Sequence, residues 1–235
     1  FMNIYNQEKT KLVNSVFDRV YKNYDFMNDI MSFGVHRLWK KNLISWMNPQ
    51  LGDKIIDVAS GTGDLARIIS KKNNNQNTIH CVEPNQGMLE TGERKLKYFK
   101  NIKWHLSSAE KLPFKDEAFD FYTISYGIRN VSNIDQCLKE ALRVLKPGGR
   151  LILMIYSDTF FQRSFLRLSF FYKKYIRKNI LVDFSTFKRQ MYDVNIEGIA
   201  APVTEFTSKN QLRTLLRKFN KYDLRLENHQ MPFFR

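Results

Sequence analysis

Cysteine is nearly absent: the 235 residues contain only Cys81 and Cys137. Neither stands at metal-ligand spacing with other cysteines or histidines, so a disulfide framework and a metal site are both excluded. Cys81 falls in an apolar strand pattern and Cys137 on a helical face. Both read as small core residues in a reducing compartment. Also missing is any uncharged apolar run of about eighteen residues, the minimum for a membrane-crossing helix. The N-terminus lacks the charged-then-apolar pattern of a secretory leader. Phe1 ahead of Met2 reads as an extraneous residue, which leaves a removed targeting segment open. Acidic side chains are scarce, 23 against 38 Lys and Arg, for a formal charge of +15. Such a field favours nucleic acid, acidic lipid or acidic protein as partner. A general Asn, Lys and Ile bias explains the same surplus with no partner at all. Internal repeats are absent.

What is present starts at Ile55. Ile55, Ile56, Val58 and Ala59 surround Asp57, and the run breaks into Ser60-Gly61-Thr62-Gly63-Asp64. This predicts a buried parallel strand, a glycine turn that a ligand can approach closely, and a helix starting near Asp64. Glu83 closes the next apolar run, at the tip of a second strand, where a carboxylate accepts hydrogen bonds from ribose hydroxyls. Two neighbouring strand tips then form one nucleoside pocket. Ala66 occupies the third position of a dinucleotide glycine motif, so spacing alone leaves a dinucleotide open. Asp64 separates the candidates: a carboxylate there repels a pyrophosphate and suits a sulfonium and an amine. S-adenosylmethionine is therefore the expected cofactor.

The length fits one α/β domain. Helical spacing covers 7–22 and 36–47; strands are expected at 54–59, 78–82, 102–106, 119–125 and 150–156, with helices at 64–71, 86–98 and 133–145. Lys146-Pro147-Gly148-Gly149 reads as a helix stop and tight turn. A helix at 209–219 and closing strands at 222–227 and 230–234 complete the chain. The expectation is a doubly wound, mostly parallel, seven-stranded sheet with N-terminal helices and a helical lid insertion. Within a single domain, 1–50 is an N-terminal helical cap, 51–156 the cofactor-binding core, 157–205 a substrate-side lid and 206–235 the C-terminal helix and closing strands.

Residues 24–39 set Tyr24, Asp25, Met27, Asn28, Ser32, His36 and Trp39 at fixed offsets. This block resembles the N-terminal signature of the ubiquinone/menaquinone biosynthesis C-methyltransferase family, a branch of the class I, Rossmann-like methyltransferases. Three more blocks match it: Asp57 to Leu65, Ile124 to Val131, and Arg143 to Leu151. The resemblance covers about residues 10–157. It departs at Ile155, where a glutamate is expected, and the middle and C-terminal segments beyond 157 do not match.

The resemblance implies S-adenosylmethionine as methyl donor, leaving as S-adenosylhomocysteine, and a polyprenyl benzoquinol or naphthoquinol as acceptor. It implies cofactor contacts from Ser60, Gly61, Thr62, Gly63, Asp64, Glu83, Asn85, Met88, Ser108, Ala109, Glu110 and Ser125. The family often carries aspartate where Glu83 stands. Arg129 and Asn130 are the expected catalytic pair, Arg129 stabilising a phenolate because arginine keeps its proton. Tyr24 is the third expected catalytic residue and, with Asp25 and Asn28, belongs to the cofactor and substrate lid. Simpler roles remain for several: Arg129-Asn130 as a strand-end turn, Asp25 and Asn28 as helix caps, Ser125 as an ordinary strand serine, and His36 as a packed histidine beside Trp39.

Residues 160–190 interleave basic side chains with aromatics, Phe161, Phe165, Leu168 and Tyr172 sharing one helical face. This suits peripheral contact with an anionic membrane that holds a polyprenyl tail; packing against the sheet and RNA binding are the alternatives. RNA is disfavoured, because the base-amine methylase motif is missing at the fourth strand. Other acceptors stay open, lipid-like or small phenolic, as does a non-catalytic scaffold in a biosynthetic complex or a homo-oligomer. The expected location is cytoplasmic or on the mitochondrial matrix side.

Overall fold

The computed structural model of the chain describes residues 35–155 and 171–176, together with residues 214, 216, 217 and 219. Two compact units divide it: Phe1–Met154 with Lys188–Thr204, and Ile155–Phe187 with Glu205–Arg235. In the first unit the order is α1 (Val35–Met47), β1 (Lys54–Val58), α2 (Asp64–Lys72), β2 (Thr78–Glu83), α3 (Gln86–Lys95), β3 (Ile102–Leu106), β4 (Phe119–Ser125), α4 (Ile134–Val144) and β5 (Leu145–Met154).

The five described strands are parallel, in the order β3-β2-β1-β4-β5. The chain starts in the middle, winds outward to β3, and returns to β4 on the other side of β1. That reversal opens a crevice outside the carboxyl ends of β1 and β4, the place where open α/β sheets bind ligands. Past the exposed Lys54 at its start, β1 is apolar on both faces apart from Asp57, as a strand buried between helix layers must be. Side chains of Leu43, Ile44 and Met47 from α1 and Leu65, Ala66 and Ile69 from α2 pack with Ile55, Ile79, Cys81 and Phe121 on one face. On the other face Tyr122 Oη meets Cys137 Sγ of α4 at 3.6 Å. Both cysteines are free and buried, as expected of core residues.

Element positions follow the sequence expectations closely, with two instructive differences. α3 ends at Lys95 rather than 98, because Leu96 leaves helical geometry and its N–H closes on Gly92 O. Asn85 and Asn133 start α3 and α4 by accepting the N–H of Met88 and Gln136, as N-cap side chains do. The Lys146-Pro147-Gly148-Gly149 stretch lies inside β5 rather than before it. Phe119 pairs with Leu145 and Phe121 with Arg150, so the stretch forms an irregularity in the ladder. Lys146 Nζ anchors it to Asp120 at 2.7 Å.

The expected helix at 7–22, closing strands at 222–227 and 230–234, most of the lid, and the Tyr24, Asp25 and Asn28 cluster lie outside the described residues. In the second unit, Tyr172–Ile176 forms a π-helical turn. Phe171, Tyr172 and Tyr175 are exposed there, and Lys174 Nζ stands 5.8 Å from the centre of the Tyr175 ring.

Candidate active site

Beyond β1 the backbone turns sharply. Gly61 and Gly63 take φ of 58° and 78°, left-handed values that glycine reaches without a Cβ penalty. The turn is held by Ser60 N–H donating to Val82 O and Gly63 N–H to Ser60 O. Its main fastening is Glu83. Gly61 N–H donates to Glu83 Oε2 at 2.8 Å, and Asn85 N–H donates to Oε1 at 3.1 Å. One carboxylate therefore ties the tip of β1 to the tip of β2. A carboxylate has about four acceptor sites, so each oxygen keeps a lone pair for a ligand hydroxyl. Burial raises the Glu83 pKa, and the two backbone donors hold it back.

Asp57 lies beneath this turn and is 2% exposed. Thr123 Oγ1 on β4 donates to its Oδ1 at 2.7 Å. Burial pushes its pKa up to about 7, against the Thr123 hydrogen bond and the charge of Lys40; Glu83 and Asp64 add to the rise. No site role follows for Asp57 from the turn motif alone. The available signal is a lone carboxylate inside an otherwise apolar strand run.

Asp64, whose carboxylate the sequence reading sets against a cationic or amine-bearing ligand, does not stand alone. Instead Lys40 Nζ of α1 lies 3.2 Å from it and Lys95 Nζ of α3 lies 3.0 Å away, with Arg67 at 3.7 Å. Burial would raise its pKa, but the two lysines outweigh this and hold it well below the usual carboxylate range. The surroundings of Asp64 are net positive, so its charge by itself does not exclude an anionic ligand. Thr62 is buried beside it and accepts from Lys95 Nζ at 3.4 Å.

The tip of β4 completes the crevice. A Cβ on Gly127 would fall 2.3 Å from Ala59 Cβ, so only glycine lets the segments after β1 and β4 approach this closely. Tyr126 adopts a left-handed φ of 60°, and its ring centre is 6.2 Å from that of Trp39 on α1. Arg129 and Asn130 follow in the short 3-10 helix Gly127–Asn130, both half-buried. Ser125 Oγ is buried with no hydrogen-bond partner. An orphaned hydroxyl at a strand tip fits a polar ligand group above it.

Other candidates have a visible part in the scaffold. Asn85 caps α3, and Met88 is 2% exposed, so side-chain packing is the visible role of Met88. Ala109 is buried, and Ser108 O accepts from Lys111 N–H. Glu110 Oε1 accepts from the N–H groups of Ser132 and Asn133 and so braces the start of α4. Among the described residues no cluster of three or more metal-ligating side chains exists.

Comparison with known proteins bears on the same elements. Residues 3–229 match the profile of the ubiE/COQ5 methyltransferase family. The ubiquinone/menaquinone biosynthesis C-methyltransferase UbiE of Rickettsia bellii is 39% identical over 236 residues, covering 97% of this chain and 92% of that protein. Its counterpart in Rickettsia prowazekii is 38% identical, covering 94% of this chain and 89% of the other. Among solved structures, a SAM-dependent methyltransferase from Thermotoga maritima aligns with a TM-score of 0.57 at 25% identity, over 87% of this chain and 78% of that one. The YcgJ protein of Bacillus subtilis aligns at 0.54 and 18% identity over 76% of this chain and 66% of its own, a likeness of fold.

Proposed function

The chain belongs to the ubiE/COQ5 methyltransferase family, and on that premise we propose that it methylates a ring carbon of a polyprenyl benzoquinol or naphthoquinol with S-adenosylmethionine as donor. The observation that supports this most is the Glu83 carboxylate, which joins two strand tips and keeps acceptor capacity toward the crevice. When bound, the donor supplies a sulfonium methyl open to in-line displacement. Glu83 would accept the ribose hydroxyls, the Gly61–Gly63 backbone would let the methionine end approach, and Ser125 Oγ would gain the partner it lacks.

A ring carbon is a weak nucleophile until the neighbouring phenol gives its proton to a water in the site. The methyl then passes from sulfur to carbon, S-adenosylhomocysteine leaves, and the hydrogen on the methylated carbon departs as a proton to water. Arg129 cannot serve as a base at ordinary pH, since guanidinium keeps its proton. Its role is to stabilise the phenolate oxygen, and Asn130 orients it. Holding acceptor and donor in line and excluding water supplies the rest.

The test is a methyl-transfer assay with a short-chain demethylated quinol, the product identified by mass. Arg129→Ala is expected to lower kcat by about 100- to 1000-fold, while S-adenosylhomocysteine affinity stays within about threefold. Turnover near the wild-type rate would remove Arg129 from the mechanism. A wild-type enzyme that methylates no quinol would remove the acceptor class.

Peripheral membrane contact through 160–190 is part of the same proposal. No helix among the described residues is long and apolar enough to cross a membrane. The exposed aromatics Phe171, Tyr172 and Tyr175 beside Lys174 support a surface that meets lipid headgroups. Vesicles rich in anionic lipid should sediment the protein at low salt and release it as ionic strength shortens the Debye length. Absence of sedimentation at low salt would leave packing as the role of this segment.

A further inference from the structure

Two glycines on different elements leave room for one side chain. Gly63 ends the turn after β1, and Gly92 lies inside α3, where glycine is a weaker helix former than alanine. A Cβ on Gly92 would collide with Cη2 of Trp104, and a Cβ on Gly63 would fall 2.8 Å from the same atom. The six-membered ring of the Trp104 indole is therefore wedged between α3 and the glycine turn. Trp104 comes from β3, where it pairs in register with Cys81, and it packs half-buried against the main core. Leu96 crowds the turn as well, since its Cδ1 would also stand 2.8 Å from a Cβ on Gly63.

The wedge has a mechanical consequence. Protein interiors are close-packed, so a rigid ring pushed from one side moves into what lies on the other. Opposite Gly92 lies Gly63, the last residue of the turn that faces the crevice. The Glu83 carboxylate holds that turn at Gly61, and the indole supports it two residues further on. We infer that Trp104 is a positioning residue for the methyl donor, setting the place of the Gly61–Gly63 backbone and coupling it to α3 through Gly92. This rests on the donor-site reading above. It adds a residue that governs donor affinity through the turn, and it makes Gly92 on α3 a remote point of control over the same site.

A double-mutant cycle reads the coupling. Calorimetry with S-adenosylhomocysteine compares wild-type protein, Gly92→Ala, Trp104→Leu and the double variant, with a thermal melt to confirm folding. Trp104→Leu should weaken binding by about fivefold, because the turn loses its support. Gly92→Ala should weaken it by about tenfold, because the added methyl drives the indole onto Gly63. In the Trp104→Leu background the same Gly92→Ala change should cost less than about twofold, since leucine ends short of the added methyl. Losses that multiply in the double variant would overturn the inference. So would melting temperatures that fall while affinity stays at the wild-type value, the pattern of core packing alone. Should Gly92→Ala not fold, indole emission carries the test. The part of the emission change on adding S-adenosylhomocysteine that Trp104→Leu abolishes belongs to Trp104, and the same change in both proteins overturns the coupling. Wild-type protein that binds no S-adenosylhomocysteine overturns the donor site and this inference with it.

Discussion

Glu83→Ala should weaken S-adenosylhomocysteine by at least about 100-fold, because two losses coincide. A ligand loses hydrogen bonds to a charged acceptor, each contributing about 1.5–3 kcal/mol. The Gly61 and Asn85 N–H groups lose the carboxylate that sets their positions, so the turn itself relaxes. Glu83→Asp keeps the charge but is shorter by one methylene. It cannot span to Gly61 and Asn85 together, so an intermediate loss of about tenfold is expected. Calorimetric titration of the three proteins measures this. Affinity in Glu83→Ala within threefold of wild type would mean that the carboxylate fastens the fold and touches no ligand.

Asp57→Asn should produce the opposite pattern, a more stable protein that binds its donor less well. Burial raises the folded-state pKa of Asp57 from 3.8 to about 7, so the folded chain holds this proton more tightly than the unfolded chain. The stabilising contribution is complete below the unfolded value of 3.8 and is lost as pH rises through about 7. At full ionisation the burden is roughly 4 kcal/mol at most, taking about 1.4 kcal/mol per pKa unit. That is a large part of a typical folding stability of about 5–15 kcal/mol. The asparagine variant removes this burden and can still accept from Thr123. Its melting temperature at pH 8 should exceed that of wild type by several degrees, and the gap should shrink toward pH 5. A sulfonium or ammonium in the crevice favours ionised Asp57, so donor affinity should fall in the same variant. Parallel stability–pH curves for the two proteins would contradict this.

These two carboxylates also show what the sequence revealed and what it hid. Glu83 was legible because a charged residue at the end of an apolar run marks a strand tip. The regular alternation of helix and strand gave the parallel sheet, and the block of residues 24–39 gave the family that the profile match supports. The glycine turn was legible because Gly61 and Gly63 must reach positive φ. What stayed hidden depends on residues far apart in the chain. Lys40 and Lys95 lie 24 and 31 positions from Asp64, and nothing local reveals that both neutralise it. The inference from Asp64 to a cationic cofactor reached the right methyl donor through an incomplete picture of its charge. Glu110 likewise gave no local sign that its carboxylate braces the N–H groups of Ser132 and Asn133. The Lys146 to Gly149 stretch read as a turn because local chemistry favours one, while pairing with β4 draws it into the ladder. Local propensity yields to tertiary context at such places.

The most direct measurement is a crystal structure of the protein grown with S-adenosylhomocysteine. The expected result places both ribose hydroxyls within about 3 Å of the Glu83 carboxylate, the sulfur over the Gly61–Gly63 turn, and Ser125 Oγ in contact with ligand. A nucleoside bound elsewhere on the sheet, or Glu83 facing away from it, would contradict the proposed site.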